Sequence, residues 1–367
     1  MTKAILEVGP RIGEVARCVG IHKETVRYRF RKFFVERGLV VQANLDYQRL
    51  GFRRLIIVAR LADAYERHFF PIMSALSEMC YLTGFMQTTL EGLYILHVVV
   101  PAGLRDECSR LYETLHKIGI FPEMQILTFE EFRSVPMKPE YYDFSNGVWS
   151  FDWRADELSS VTLISSGKAE VEKYDYTDLL ILKEFDRDAS QPLMEISKRL
   201  KLTYKTLEHH YRRHVLGRGL IRRYRVVWNG STYNQRTEKA GSMRHTYLPM
   251  AVLATGLADW QRAKLQAGFN QLPFLWFEAS GPSYYAEVFV PLESYSELLK
   301  RIREISARTG VPIRLFILDY GKGLRFSIAY GLYDPERRVW RLSAADTIAR
   351  FENLIVNVNN QRGGEGT

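Results

Sequence analysis

The segment Gly20–Val41, GIHKETVRYRFRKFFVERGLVV, sets six Lys and Arg side chains among apolar residues at helical spacing. With Val26, Phe30 and Phe33 or Phe34 turned inward, His22, Lys23, Arg27, Tyr28 and Arg31 face outward. Cationic and hydrogen-bonding groups so arranged suit phosphates and base edges, because the major groove of duplex DNA admits one helix anchored from behind. A second segment, Lys201–Arg222, repeats the design as KLTYKTLEHHYRRHVLGRGLIR and presents Thr203, Tyr204, Lys205, Glu208, His209 and Arg212. Arg222, Arg223 and Arg225 follow on an apolar strand, where phosphate contact is the expected role. A charge run is most often a solvated helix face. Two aligned copies in the same context favour a nucleic-acid surface.

Each helix needs supporting elements, and the chain supplies them twice. At an offset of 181, Val15 meets Ile196, Val26 meets Leu207, Phe30 meets Tyr211, and Gly38 meets Gly219. Further on the best offset is 190, where LYILHVVVP overlays SYYAEVFVP and Pro122 meets Pro312. NGVWSFD (146–152) loosely matches ERRVWRL (336–342) near the end of each copy. In copy two, 178–188 and 192–200 predict two helices, with Pro192 suited to a first turn. Thr203 is the expected N-cap of a third helix that buries Leu207, Tyr211 and Val215. A wing strand, 220–228, comes next. Copy one follows the same plan with a cramped first helix, since only about eight residues precede Gly9-Pro10. The remainder of each copy alternates in the order β-α-β-β-α-β.

The fold class is therefore α+β, two winged helix-turn-helix domains alternating with two ferredoxin-like domains. The expected boundaries are 1–50, 51–135, a linker 136–175, 176–230, 243–342, and a C-terminal helix and tail 343–367, with NNQRGGEGT as a disordered end.

Composition agrees with a folded protein: 46 % hydrophobic and 25 % charged over 367 residues. Of the net charge of +9, residues 1–60 hold 13 Lys/Arg against 5 Asp/Glu. The block 176–228 is also net positive, so the rest of the chain is net negative, as a localised polyanion footprint requires. Cys18, Cys80 and Cys108 form no CxxC pair, which argues for a reducing cytoplasm and no disulfide framework. Cys18 is expected as a small buried residue. The N-terminus lacks a signal-peptide core, and Leu93–Val100, the longest apolar run, falls far short of the roughly 20 residues of a membrane span.

A winged helix followed by β-α-β-β-α-β resembles the feast/famine (Lrp/AsnC) transcription regulators of archaea and bacteria. GIHKETVRYRFRKFFVERGLV approaches that family's Gly-Leu-Ser-x-x-Thr-Val-x-x-Arg pattern, with Thr25 and Arg29 at the threonine and arginine positions and His22 replacing the capping serine. Copy two keeps Thr203 and Thr206 but has His210 at the arginine position. YLTGFMQTTLEGLYILHVVVP resembles the effector domain's central hairpin. The resemblance implies a cytoplasmic, nucleoid-associated, archaeal regulator of double-stranded DNA, with a small-molecule effector and self-association as further partners. Two departures stand out. Family members carry one copy and dimerise, whereas two copies here imply a pseudo-dimer within one chain, able to read a non-palindromic site. The Gly-x-x-Asp-Tyr turn of the effector hairpin is missing.

On this reading the chain is not an enzyme and has no cofactor, no catalytic residue and no metal. His210 and His214 have metal-ligand spacing, but their neighbours Arg212 and Arg213 repel a cation. DYGKGLRF (319–326) lacks the full phosphate-loop spacing and is expected as a turn. Trp260, Trp276, Tyr284 and Tyr285 read as core or interface, with a small-molecule pocket as the sharper option. Two alternatives remain. One is a chromatin-like binder of low sequence specificity. The other is an enzyme like the sirohaem decarboxylases, which share this architecture and would turn basic and histidine side chains to substrate carboxylates.

Overall fold

The computed structural model describes residues 1–33, 40–135, 138–143, 148–153, 170–227 and 247–364. Three short helices open copy one: α1 (Thr2–Val8), α2 (Ile12–Val19) and α3 (Lys23–Phe33), followed by β1 (Val40–Leu45). Gly20, at φ 65°, ends α2 in the left-handed region and lets the chain turn into α3. Val26 anchors α3 at 1 % exposure, with Phe30 packed at the margin of the same core. The side chains of Phe33 and Phe34, and Gly38 with Leu39, lie outside the described residues.

The ferredoxin-like part of copy one runs β2 (Phe52–Arg60), α4 (Phe69–Met79), β3 (Leu82–Thr88), β4 (Tyr94–Pro101), α5 (Arg105–Lys117) and β5 (Glu123–Phe129). After Glu130 the chain continues as β6 (Glu131–Ser134) and a small ribbon, β7 (Tyr142–Asp143) with β8 (Val148–Trp149).

Copy two has α6 (Tyr176–Arg187), α7 (Leu193–Arg199) and α8 (Tyr204–His209), which runs on as a π-type turn, His210–Leu216, before β9 (Ile221–Val227). The Thr203 hydroxyl caps α8 by accepting the Thr206 N–H at 3.1 Å. Leu207, Tyr211 and Val215 are buried. Then come β10 (Tyr247–Thr255), α9 (Asp259–Asn270), β11 (Leu275–Ser280), β12 (Ser283–Pro291), α10 (Tyr295–Thr309) and β13 (Arg314–Arg325). A second ribbon, β14 (Tyr333–Asp334) with β15 (Val339–Trp340), precedes α11 (Ala344–Gly364). The Tyr-Asp and Val-Trp pairs of the two ribbons are thus the same device used twice.

Within each copy the strands take the ferredoxin order: β5-β2-β4-β3 and β13-β10-β12-β11. The two sheets then share strands. Beyond Leu318, β13 leaves β10 and pairs with β3, across a bulge between Asp319 and Gly323. β6 pairs with β11 in return. Only Glu130 separates β5 from β6, so the two ends of the nine-stranded ladder are consecutive pieces of one bent strand. Three apolar layers follow from this closure. One lies under α4, α5 and α11, one under α9 and α10, and one between the two sheets, around Ile56, Ile95, Phe277 and Phe316.

The winged helices also merge. β1 pairs antiparallel with β9, α1 packs on β9, and one core serves both copies. Three expectations are corrected. Cys18 lies on the outer face of α2 and is exposed, while Cys80 and Cys108 are buried. DYGKGLRF belongs to the bulged strand β13, where Asp319 accepts the Gly321 N–H at 2.7 Å. The tail is helical to Gly364. Among the described residues, no helix is long and apolar enough to cross a membrane.

Gly9 joins the halves at close range. Its φ of 79° and ψ of −177° belong to glycine alone, and a Cβ there would stand 2.7 Å from the buried Tyr224 ring. Gly9→Ala should cost about 2 kcal/mol or more, from backbone strain and overpacking together. Urea denaturation would report it, and an unchanged midpoint would refute a rigid junction at this point.

Candidate functional site

A cleft of about 250 Å³ opens where β1, β9 and α6 cover the strand junction at the centre of the closed sheet. Copy one contributes Gln42, Tyr47, Arg54 and His97. Copy two contributes Lys183, Asp186, Arg187, Arg225, Glu287 and Arg325. Phe85, Trp276, Phe277 and Phe326 supply apolar wall. Five cations face two carboxylates, so the cleft is electropositive.

Arg54 is held between the rings of Phe132 and Phe277, its guanidinium carbon 4.8 and 4.6 Å from their centroids. Burial pulls its pKa below the ordinary arginine value. Its Nη1 lies 3.2 Å from His97 Nδ1, and its buried Nε has no hydrogen-bond partner. A guanidinium can only donate, so Nδ1 accepts and the imidazole proton sits on Nε2, 2.8 Å from Glu287 Oε1. The Tyr285 hydroxyl donates to the same carboxylate at 2.9 Å. Burial alone would raise the Glu287 pKa, but His97, the Tyr285 hydroxyl and Arg54 hold it below the usual carboxylate range.

A second network faces it. Gln42 Oε1 accepts from Arg225 Nε and from Arg325 Nη1, both at 3.0 Å. Arg325 also pairs with Asp186, whose pKa is raised by burial despite that partner. Arg225 lies over Trp276, 5.1 Å from its centroid. Burial, then Asp186, push the Tyr47 pKa up, so its phenol stays protonated. The arrangement can grip several carboxylates against aromatic surface while holding a proton donor among them.

The helix residues singled out from the sequence lie elsewhere. His22, Lys23, Arg27, Tyr28 and Arg31 are exposed on one side of α3, with Thr25 partly covered. Thr203, Tyr204, Lys205, Thr206, His209 and Arg212 are exposed around α8, and Arg222 and Arg223 on β9. Arg27 is bound to Glu24 of its own helix, and Arg212 to Glu208. Arg225, expected beside Arg222, is instead buried, because the register of β9 sets it opposite Gln42. Of the four aromatics considered for a pocket, Trp276 lines the cleft and Tyr285 braces it. Tyr284 is buried against Glu278, and Trp260 is exposed.

Sequence reasoning missed Arg54, His97, Glu287 and Arg325. One signal was available. In the overlay of LYILHVVVP on SYYAEVFVP, His97 falls on Glu287, a polar residue at the same place in two otherwise apolar strands.

No protein-family model and no curated protein sequence matches the chain. Solved structures do. The chain is similar to the siroheme decarboxylase NirDL over 96 % of its length and 99 % of that chain, with 13 % identity and a TM-score of 0.54. The same enzyme in complex with an iron-uroporphyrin III analogue matches over 87 % of this chain and 88 % of that one, with 12 % identity and a TM-score of 0.52. A transcriptional regulatory protein of the AsnC family from Pyrococcus furiosus covers 40 % of this chain and 89 % of its own, with 24 % identity and a TM-score of 0.28. The fold is the one expected. The expectation that this chain is not an enzyme is corrected, since two solved structures that share the architecture over most of both chains are those of an enzyme.

Glu287 offers a direct check of the buried network. Its lowered pKa means that its contribution is complete above the ordinary Glu range, near pH ~4.3, and is lost as pH falls through the folded value. Glu287→Gln should therefore flatten the acid side of the stability profile. Urea midpoints at about pH 6 and about pH 4 would measure this. An equally steep loss in the variant would mean that other carboxylates govern acid unfolding.

Proposed function

We propose that this chain binds a tetrapyrrole polycarboxylate in the central cleft and removes CO2 from one or more of its side chains. The observation that carries this reading is the surplus of cations in an aromatic-walled cleft, including a half-buried Arg54 whose buried Nε lacks a partner. Buried guanidinium groups with unused donors suit carboxylates, which they grip with charge-assisted hydrogen bonds. Similarity to siroheme decarboxylase, one of whose structures holds an iron-uroporphyrin III analogue, supports the substrate class. A cleft of about 250 Å³ takes one edge of such a ring, with the remainder along its open side.

Decarboxylation breaks the bond between a carboxylate and its methylene carbon, leaving the electron pair on that carbon until a proton arrives. Arg54, Arg225 and Arg325 would hold carboxylates at the inner wall, and Lys183 and Arg187 those nearer solvent. Tyr47, kept protonated, is the candidate proton donor. Leaving the scissile carboxylate against Phe85, outside the grip of the arginines, would favour loss of its charge as CO2.

Double-stranded DNA binding remains a second reading, supported by the exposed cationic side of α3. One set of proteins separates the two. Titration with iron uroporphyrin III, followed by absorbance and by mass spectrometry for CO2 loss, should give tight binding by wild type. Arg225→Ala should weaken it about tenfold or more, as expected for a lost charge-assisted contact. Tyr47→Phe should bind normally and turn over slowly, and Arg27→Ala should match wild type throughout. Selection from a random duplex pool that enriched a motif relaxed by Arg27→Ala, with no porphyrin binding, would instead establish the DNA reading.

A further inference from the structure

Two histidines of the π-type turn after α8, His210 and His214, acquire acidic partners from a part of the chain more than thirty residues away. Asp178, fully buried at the start of α6, sets Oδ1 2.8 Å from His210 Nδ1 and 3.1 Å from His214 Nδ1. Asp175 Oδ1 lies 3.7 Å from His210 Nδ1. All four ligand atoms fall within 4.8 Å of one another. We propose that Asp175, Asp178, His210 and His214 form a structural site for a divalent transition metal, with zinc the best fit.

The distances suit the ion. Four ligands at zinc bond lengths of 2.0–2.2 Å stand about 3.4 Å apart along a tetrahedral edge, and the observed separations of 2.8, 3.1 and 3.7 Å bracket that value. The donor set is two imidazoles and two carboxylates, so the ligand charge matches a dication. Imidazole selects for zinc, copper and nickel over the hard cations magnesium and calcium.

The surrounding chain orients these donors. Asp175 and Asp178 form a reciprocal capping box, each accepting the other's backbone N–H, at 3.0 and 3.1 Å. Such bonds fix a ligating carboxylate from behind. The π-type turn from His210 to Leu216 brings the two imidazoles to 4.7 Å between centroids, and π-turns concentrate at functional positions. The neighbouring cations do not exclude the ion. Arg212 is paired with Glu208, and Arg213 is exposed. The site is particular to copy two, for Arg29 and Phe33 occupy the corresponding positions of α3.

Its effect would reach the cleft. Lys183, Asp186 and Arg187 lie further along α6, the helix that Asp178 begins. A metal joining α6 to the turn after α8 would fix the helix that presents these groups. This holds whether the cleft binds a tetrapyrrole or another anion.

The competing account is a metal-free cluster, in which both imidazoles donate Nδ1–H to Asp178. Full-length protein stripped with a chelator and titrated with Co2+ distinguishes them. One equivalent bound per chain, with the visible band of a tetrahedral site, displacement by Zn2+ and a higher melting temperature, is the expected result. His210→Gln with His214→Gln should abolish the band. Asp175→Asn, which keeps a good N-cap residue, should weaken Co2+ binding about tenfold while leaving the metal-free melting temperature unchanged. No tetrahedral band in wild type, or a band that survives the double substitution, would overturn the proposal.

Discussion

Closure of the sheet by shared strands is the constraint on which the rest of this molecule depends. A four-stranded ferredoxin-like sheet ends on edges with unpaired N–H and C=O groups, and it offers one face to helices and another to whatever can cover it. Here each copy lends the end of its last strand to the other: β13 runs on to β3, and β6 to β11. Both edges and both inner faces are satisfied together. The exchange sets β4 and β12 across from each other, so that His97 and Glu287, equivalent positions of the duplication, meet at 2.8 Å. A polar contact at the centre of an apolar layer follows from the symmetry of the chain.

Duplication within one chain also lets that symmetry fail where function needs it to. Asp186, Lys183 and Arg187 of α6 correspond, at the offset of 181, to Ile5, Thr2 and Leu6 of α1. Ile5 is fully buried and Leu6 nearly so. The acid that pairs with Arg325 in one copy is therefore a core residue in the other. A homodimer would have to build both versions or neither. The merged winged helices help, because β1 and β9 place Gln42 of one copy between Arg225 and Arg325 of the other.

Periodicity made much of the fold legible. Val26 and Leu207 anchor their helices as their spacing requires, Thr203 caps α8, and β-α-β-β-α-β recurs in order. The cleft was not legible, for a physical reason. Its groups come from β1, β2, β4, α6, β9, β12 and β13, and nothing local in those segments encodes the strand exchange that assembles them. Arg54 reads as one more charge in GFRRLIIV until Phe132 and Phe277 are seen on either side of it. His210 and His214 were visible as a pair. Their acidic partners were not, because they depend on how α6 packs against α8.

The loudest sequence signal was also the least decisive physically. Exposed Lys and Arg on a helix cost little to maintain, and Arg27 and Arg212 are each matched by a glutamate on their own helix. Their presence is compatible with DNA, with another polyanion, or with simple solvation. A buried arginine is a different matter, since removing its charge from water costs several kcal/mol that imperfect pairing does not return. The cleft holds Arg225 buried and Arg54 and Arg325 half-buried, with only Asp186 and Glu287 as buried carboxylates among its lining groups. Apolar residues of similar size would make a more stable junction there. Stability alone therefore does not account for these arginines. The proposed anionic ligand would complete their pairing, which favours the seam between the copies over the helices' outer faces as the functional site.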